Sequence, residues 1–113
     1  MGVDVGQSVQ RIGGKVAVYF KLLDRFRSVE CDAVSQIQKA IAAEDFKVAE
    51  RRAHTLKGIA GTLGAETLQN QAALVEDSIR GGVLDGLDDL LSELDRSLNA
   101  LLDSIDQAFR LRD

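Results

Sequence analysis

Apolar residues recur at alternating spacings of four and three along the last quarter of this chain. The series is Leu87, Leu91, Leu94, Leu98, Leu101, Ile105 and Ala108. An α-helix has about 3.6 residues per turn, so this spacing aligns the series along one face of a single long helix. A helix cannot bury its own apolar stripe, and the rest of the chain must therefore provide elements that cover it.

The rest of the chain has the same helical character. It contains no proline, which would interrupt a helix, and further apolar stripes occur at helical spacing. These stripes predict bundle helices at residues 31 to 43, 46 to 63, 66 to 80 and 86 to 110, preceded by a helix at 15 to 28. The junction after that first helix, Ser28 to Asp32, is open to two interpretations, a kink or a loop. Residues 5 to 12 are compatible with a short additional helix.

Several residues mark the expected helix ends. Asp45 is expected to cap the second bundle helix, and Gly64 is expected to end it in a left-handed conformation. The Gly81-Gly82 pair should end the next helix, close to Arg80, whose positive charge suits a helix C-terminus. Asp85 signals the start of the last helix.

Amphipathic helices joined by short connections can bury their apolar faces against one another in a bundle. We therefore predict an all-α fold, an antiparallel four-helix bundle, with the helix at 15 to 28 packed alongside it or extending one of its helices. A chain of 113 residues supports one core, and residues 1 to 113 are expected to form a single domain.

The charge balance and the single cysteine narrow the functional classes. Lys and Arg number 14 against 18 Asp and Glu, a net charge of −4, so general attraction to nucleic acid and anionic membranes is missing. Cys31 is the only cysteine and cannot form a disulfide within the chain, which favours a cytoplasmic location. Neither an export signal nor a membrane-spanning run is present. We expect no nucleic acid partner and no direct membrane contact.

Glycines at three-residue intervals are the feature that a bundle alone does not require. Gly58 and Gly61 fall inside the predicted helix at 46 to 63, and Gly64 follows it. Each interior glycine costs up to about 1 kcal/mol relative to alanine, whereas a terminal glycine is favourable. Two explanations remain for Gly58 and Gly61, which are close packing of a neighbouring helix and a cleared surface for a partner.

The only histidine shares a helix face with these glycines. On a helical wheel, His54, Gly58 and Gly61 lie within about 40° of one line, and Lys57 lies about 60° to the other side. Apolar residues such as Leu56 occupy the opposite face. An exposed imidazole beside a strip of bare backbone is therefore expected.

Simpler interpretations also apply to each of these residues separately. A lone histidine on a helix is often just a solvated side chain, and an exposed lysine often serves only solubility. A metal site is disfavoured, because the positions three and four residues after His54 hold Lys57 and Gly58 rather than a second ligand.

Together, these residues suit the transfer of a phosphoryl group. A neutral imidazole is abundant near pH 7, and its free ring nitrogen can attack phosphorus without a dedicated base. Lys57, about one turn later, can hold the phosphoryl oxygens. The sequence has no glycine-rich nucleotide loop and no acidic metal cluster. No cofactor of its own is expected, and a partner would have to supply the metal ion.

The segment from Ala53 to Ala65 reads AHTLKGIAGTLGA. This order strongly resembles the signature of histidine-containing phosphotransfer (Hpt) domains. The resemblance continues into Val75-Glu76 and, upstream, into the stretches LLDRF and AAED, so that it covers essentially the whole chain. Arg52 departs from the family pattern, which favours a small or apolar residue there, and its stem is expected to reach towards water. Thr62 replaces an asparagine that is common at its position.

The resemblance implies a helical bundle in which His54 is the phosphoacceptor. A receiver domain carrying an aspartyl phosphate would phosphorylate His54, which would pass the group to another receiver. Lys57 would assist the phosphoryl group, and Gly58 and Gly61 would clear the docking surface. The receiver would bring Mg²⁺, and the chain would have no ATP-dependent kinase activity of its own.

Basic residues near the histidine could steer an acidic receiver. A helical wheel places Lys47 and Arg51 on the same side of the helix as His54. Solvated lysine and arginine side chains without a docking role would show the same pattern. We expect the isolated domain to be a monomer that partners response-regulator receivers. It would be a free protein or the cytoplasmic part of a membrane-bound hybrid sensor histidine kinase.

Two other classes remain as alternatives. One is the dimerisation and phosphoacceptor domain of a sensor kinase, which is disfavoured because Thr55 rather than an acidic residue follows His54 and no proline follows. The other is an adaptor bundle without phosphotransfer activity, and the presence of both His54 and Lys57 argues against it.

Overall fold

The computed structural model describes residues 16–112, and within this range the chain consists of five helices and their connections. They are α1 (Val16–Glu30), α2 (Ala33–Ala42), α3 (Phe46–Leu63), α4 (Glu66–Arg80) and α5 (Leu87–Arg112). The predicted all-α class is confirmed. The short helix considered for residues 5 to 12 lies outside the described residues.

The packing follows the predicted bundle. Along α3 and α4, Glu50 pairs with Arg80, His54 with Glu76, and Gly61 lies against Gln69. Rising numbers on α3 match falling numbers on α4, so these two helices are antiparallel. Helices α1 and α2 each contact both α3 and α5, whereas α4 packs between α3 and α5.

The junction between α1 and α2 is a short turn rather than a kink. Helix α1 continues to Glu30, two residues beyond the predicted end, and Cys31 and Asp32 form the turn. The carbonyl of Asp32 accepts a hydrogen bond from Gln36 N at 2.9 Å, which starts α2. The turn thus separates two helices that each pack against α3 and α5.

The caps of α3 lie where the sequence predicts them. Asp45 accepts a hydrogen bond from Val48 N at 3.4 Å, and Gly64 adopts a φ of 79°. The start of α5 differs slightly, because Leu90 N donates to the carbonyl of Gly86, which has a φ of 81°. The helix thus begins at Leu87 and not directly after Asp85, because the left-handed glycine turns the chain into it.

The core is formed by the predicted stripes. The α5 stripe from Leu87 to Ile105 is buried, and Ala108 is partly buried. It packs with large side chains of the other helices, among them Tyr19, Phe26 and Leu56. This core fixes α3 in the bundle and thereby determines which of its faces reaches solvent.

None of the five described helices combines the length and the apolarity needed to cross a lipid bilayer.

Candidate phosphotransfer site

His54 lies in the third turn of α3, on the side of the helix that faces solvent. Its side chain is 65% exposed, whereas Ala49, Leu56 and Leu63 on the opposite side are buried. The core therefore holds the helix backbone, and the imidazole projects from the bundle surface. This is the placement expected from the helical wheel.

A buried carboxylate from the neighbouring helix contacts the imidazole. Glu76 of α4 is 1% exposed, and its Oε2 lies 2.8 Å from His54 Nδ1. Lys57 Nζ lies 2.6 Å from Oε1, and Arg80 Nη2 lies 2.6 Å from Oε2. One carboxylate thus joins three basic side chains, two from α3 and one from α4.

These partners keep Glu76 ionised. Burial alone would raise the pKa of the Glu76 carboxyl, but the close contacts with Lys57 and His54 outweigh burial and lower the pKa below its ordinary value. An ionised carboxylate accepts hydrogen bonds and cannot donate them. The proton of a neutral His54 ring therefore lies on Nδ1, and Nε2 retains the free lone pair.

Lys57 contacts the same carboxylate as His54, so its charge is already paired. Its side chain is 30% exposed, and its ammonium group is paired with Glu76. The pair brings a positive charge next to the imidazole at the edge of the exposed face. The sequence predicted the presence of this charge near His54 but not its buried partner.

Arg80 makes specific contacts in addition to placing a positive charge at the C-terminus of α4, which is all that its sequence position predicted. Besides Glu76, its guanidinium contacts Glu50 of α3, with Nε 3.0 Å from Oε2. Asp77 lies 3.5 Å from Nη1. Arg80 therefore connects α3 and α4 one turn away from the imidazole.

The two interior glycines have different surroundings. A Cβ on Gly58 would meet nothing within 4 Å, whereas a Cβ on Gly61 would lie 2.6 Å from Gln69 Nε2. The bare strip is therefore shorter than the wheel predicts, because Gly61 is covered in part by the Gln69 side chain of α4. Thr62 donates a hydrogen bond from Oγ1 to the carbonyl of Gly58 at 3.1 Å, which turns its hydroxyl back onto the helix.

Lys47 and Arg51 are exposed on the same helix, as the wheel predicts. They line a shallow cavity of about 450 Å³ together with Glu50, His54, Glu76 and Arg80. The imidazole therefore lies in a surface depression whose lining includes the basic residues Lys47, Arg51 and Arg80.

A second buried carboxylate lies on the other flank of α3. Glu30, at the end of α1, is 1% exposed, and its Oε1 lies 3.4 Å from Arg52 Nη2. Burial raises the pKa of Glu30, and the charge of Arg52 opposes this rise only in part. Arg52 was expected to reach water; instead its guanidinium turns to Glu30, and only 23% of the side chain is exposed.

Glu76 is the residue of this site that the sequence patterns did not predict, although a signal was present. It lies four residues after Ala72 and eight after Leu68, on the buried stripe of α4. A carboxylate on a buried stripe needs cationic or hydrogen-bonding partners. That rule would have pointed to a charged cluster, but not to His54 as a member of it.

Among residues 16–112, no group of three or more His, Cys, Asp and Glu side chains could hold a metal ion. A family profile described as Hpt domain matches residues 21–108, which include the whole of α3 and α4. Comparisons with curated proteins and with solved structures gave no match. Hpt domains are the histidine phosphotransfer modules of phosphorelays and interact with receiver domains. The helical bundle, the exposed histidine and the matched profile agree, and the chain belongs to the Hpt domain family.

Proposed function

We propose that His54 is the phosphoacceptor of this domain and that it exchanges a phosphoryl group with the aspartate of receiver domains. The observation that carries this proposal is the contact of 2.8 Å between His54 Nδ1 and Glu76 Oε2. It fixes the ring by one nitrogen and leaves the lone pair of Nε2 free on an exposed side chain.

In the forward step, the lone pair of Nε2 forms a bond to the phosphorus of an aspartyl phosphate. The bond between phosphorus and the aspartate oxygen breaks, and the aspartate leaves as a carboxylate with the electron pair. The ring keeps the Nδ1 proton and becomes a phosphorylated imidazolium. Its new positive charge lies against the ionised Glu76, which accepts the Nδ1 hydrogen bond and stabilises the product. The reverse step loads the second receiver.

Lys57 supplies the charge for the phosphoryl oxygens. Its ammonium group is next to Glu76, on the same side of α3 as the imidazole, and its flexible stem can carry it towards the group on Nε2. In this proposal Mg²⁺ comes with the receiver.

The surface around Gly58 is the proposed docking site for the receiver. The absence of a side chain at Gly58 lets another protein approach the helix backbone beside His54. Lys47 and Arg51 add positive charge at this surface, which favours an acidic receiver site. Gly61 contributes less, because Gln69 lies over it. We propose that the isolated domain acts as a monomer in the cytoplasm.

The test uses purified receiver domains that carry an aspartyl phosphate, together with Mg²⁺. Acid-labile, base-stable phosphate is measured on the wild type, on His54→Gln and on Gly58→Glu. We expect label on the wild type, none on His54→Gln, and at least tenfold slower labelling of Gly58→Glu, because its side chain adds bulk and negative charge at the docking site.

Circular dichroism shows whether each variant keeps the helical fold. Label on a folded His54→Gln protein would contradict the proposed acceptor. Rapid labelling of a folded Gly58→Glu protein would contradict the docking site. Absence of label on the wild type from every receiver would favour the adaptor bundle.

A further inference from the structure

Arg80 joins two carboxylates that come from different helices. Its Nη2 lies 2.6 Å from Glu76 Oε2, the oxygen that also contacts His54, and its Nε lies 3.0 Å from Glu50 Oε2 on α3. These two contacts hold the guanidinium between α3 and α4, and Asp77 of its own helix lies 3.5 Å from Nη1, although the side chain is 55% exposed. An interaction with the helix dipole alone would require neither contact.

The proposed transfer requires the Lys57 ammonium group at two places, beside Glu76 and at the phosphoryl oxygens. In the unphosphorylated protein its ammonium group compensates Glu76 Oε1 at 2.6 Å, and the same group is required at the phosphoryl oxygens. When Lys57 moves, a carboxylate that is 1% exposed loses a cation. Uncompensated buried charge is unfavourable, so this loss would oppose the movement.

Neither His54 nor solvent can replace Lys57 at that moment. The imidazole carries a full positive charge only once the bond to phosphorus has formed, whereas Lys57 is needed at the phosphoryl oxygens while that bond is forming. Water has little access to a carboxylate that is almost fully buried. Of the three basic groups that contact Glu76, Arg80 is the one that has no part in the transfer and keeps its charge throughout.

We propose that Arg80 is a positioning residue that keeps Glu76 compensated and thereby frees Lys57 for the phosphoryl group. The inference rests on the proposed function of His54. Arg80 forms no bond to phosphorus and moves no proton. Its second contact, with Glu50, holds the guanidinium in place while the contact between Lys57 and Glu76 opens.

The first test measures phosphoryl transfer from a phosphorylated receiver to four variants, Arg80→Gln, Arg80→Lys, Glu76→Gln and Arg80→Gln combined with Glu76→Gln. We expect Arg80→Gln to slow transfer about tenfold, equivalent to about 1.4 kcal/mol, and Arg80→Lys to restore part of the rate. With the neutral Gln at position 76, no cation is required there. In that background Arg80→Gln should change the rate less than about twofold.

The matched control is Arg96→Gln on α5. Arg96 also pairs with a carboxylate on its own helix, Glu93 at 2.9 Å, but it is 72% exposed and has no contact with the site. It should transfer at the wild-type rate. An equal loss from Arg80→Gln in both backgrounds would overturn the proposal, because Arg80 would then act on docking or on the fold rather than through Glu76.

The second test needs no phosphoryl transfer and separates this inference from the proposed function. Urea denaturation is followed for Lys57→Met, Arg80→Gln and their combination. If both cations compensate Glu76, Lys57→Met should lower the urea midpoint more in the Arg80→Gln protein than in the wild type. This excess should vanish with Glu76→Gln. Additive midpoints would overturn the inference even if His54 is phosphorylated. A wild type that accepts no phosphoryl group would overturn the proposed function and with it the role of Arg80 in transfer, while non-additive midpoints would still show that Arg80 compensates Glu76.

Discussion

Each flank of α3 faces a buried carboxylate, and the pKa values of the two carboxyl groups shift in opposite directions. Glu76, facing α3 from α4, contacts three basic groups at 2.6 to 2.8 Å, and its pKa is lowered. Glu30, facing α3 from α1, has Arg52 at 3.4 Å, and its pKa is raised. Both residues are 1% exposed.

Burial therefore does not decide the charge state of these residues. The number and closeness of the donors decide it, because each donor must offset part of the same desolvation cost. Glu76 stays ionised and can orient and stabilise an imidazolium. Glu30 is stabilised less well in its charged form. The cavity of about 430 Å³ on this flank of α3 is lined by as many apolar as polar or charged side chains. The flank that faces α4 is therefore the one on which we propose phosphotransfer.

The largest expected contrast is in phosphoryl transfer. Glu76→Ala should slow labelling of His54 by a receiver about tenfold to a hundredfold, because a hydrogen bond to a charged group contributes about 1.5–3 kcal/mol. Glu30→Ala removes an equally buried carboxylate but should leave the rate within about twofold of wild type, since Glu30 touches neither His54 nor Lys57. Rates are compared at saturating receiver concentration, with circular dichroism as the check on folding. Equal losses in both variants would remove the functional distinction between the flanks.

A second contrast concerns stability at pH 7. Glu76→Gln should lower the free energy of unfolding by about 1–3 kcal/mol, because His54, Lys57 and Arg80 lose a charged acceptor. Glu30→Gln should leave it unchanged or raise it, because the charged form of Glu30 is disfavoured by burial and has one distant partner. Urea denaturation of the three proteins measures both differences. A larger destabilisation by Glu30→Gln would show that Arg52 compensates Glu30 better than the distance of 3.4 Å suggests.

The same two substitutions should differ in their pH dependence. For Glu76 the pKa in the folded protein is below the ordinary value of 4.5. The stabilising contribution of Glu76 is therefore complete above pH 4.5 and is lost as the pH falls from 4.5 through the folded pKa. For Glu30 the folded pKa is above 4.5, so stability is lost as the pH rises from 4.5 through the folded pKa. On going from pH 7 to pH 4, the stability advantage of wild type over Glu76→Gln should shrink. Over the same interval, wild type should gain relative to Glu30→Gln.

Denaturation curves at pH 7 and pH 4 give both trends. Arg96→Gln serves as the control, since Arg96 and its partner Glu93 are both exposed. Parallel trends for the two carboxylate variants would show that their pKa values shift in the same direction, contrary to the comparison.

The elements of the fold were accessible from the sequence because each depends on a local pattern. The α5 stripe from Leu87 to Ile105 needs only helical periodicity, and Gly64 ends α3 because a left-handed residue is required there. The face of His54 followed from the same periodicity. These features depend on one helix at a time.

The charged cluster was not accessible in the same way because it depends on how two helices are aligned. A helical wheel shows that Glu76 falls on a buried stripe, but not which residue of α3 lies opposite. One turn of relative shift, about 5.4 Å, would separate Glu76 from His54. For the same reason the sequence predicted only that the charge of Arg80 suits the C-terminus of its helix, and not its contacts with Glu76 and Glu50. A helical wheel also cannot show that Gln69 covers part of Gly61.

The smallest expected effect concerns the surface between the two flanks. Gly58→Ala should raise the free energy of unfolding by up to about 1 kcal/mol, because alanine favours the helix and its Cβ would meet nothing within 4 Å. Gly61→Ala should raise the free energy of unfolding by less, because the Gln69 side chain, which lies 2.6 Å from the position of the new Cβ, must move. Urea denaturation measures both, and transfer rates are taken on the same samples. If glycine at position 58 serves docking, the more stable Gly58→Ala protein should also be the slower acceptor. A Gly58→Ala protein that is both more stable and equally fast would show that the receiver does not approach this part of the helix.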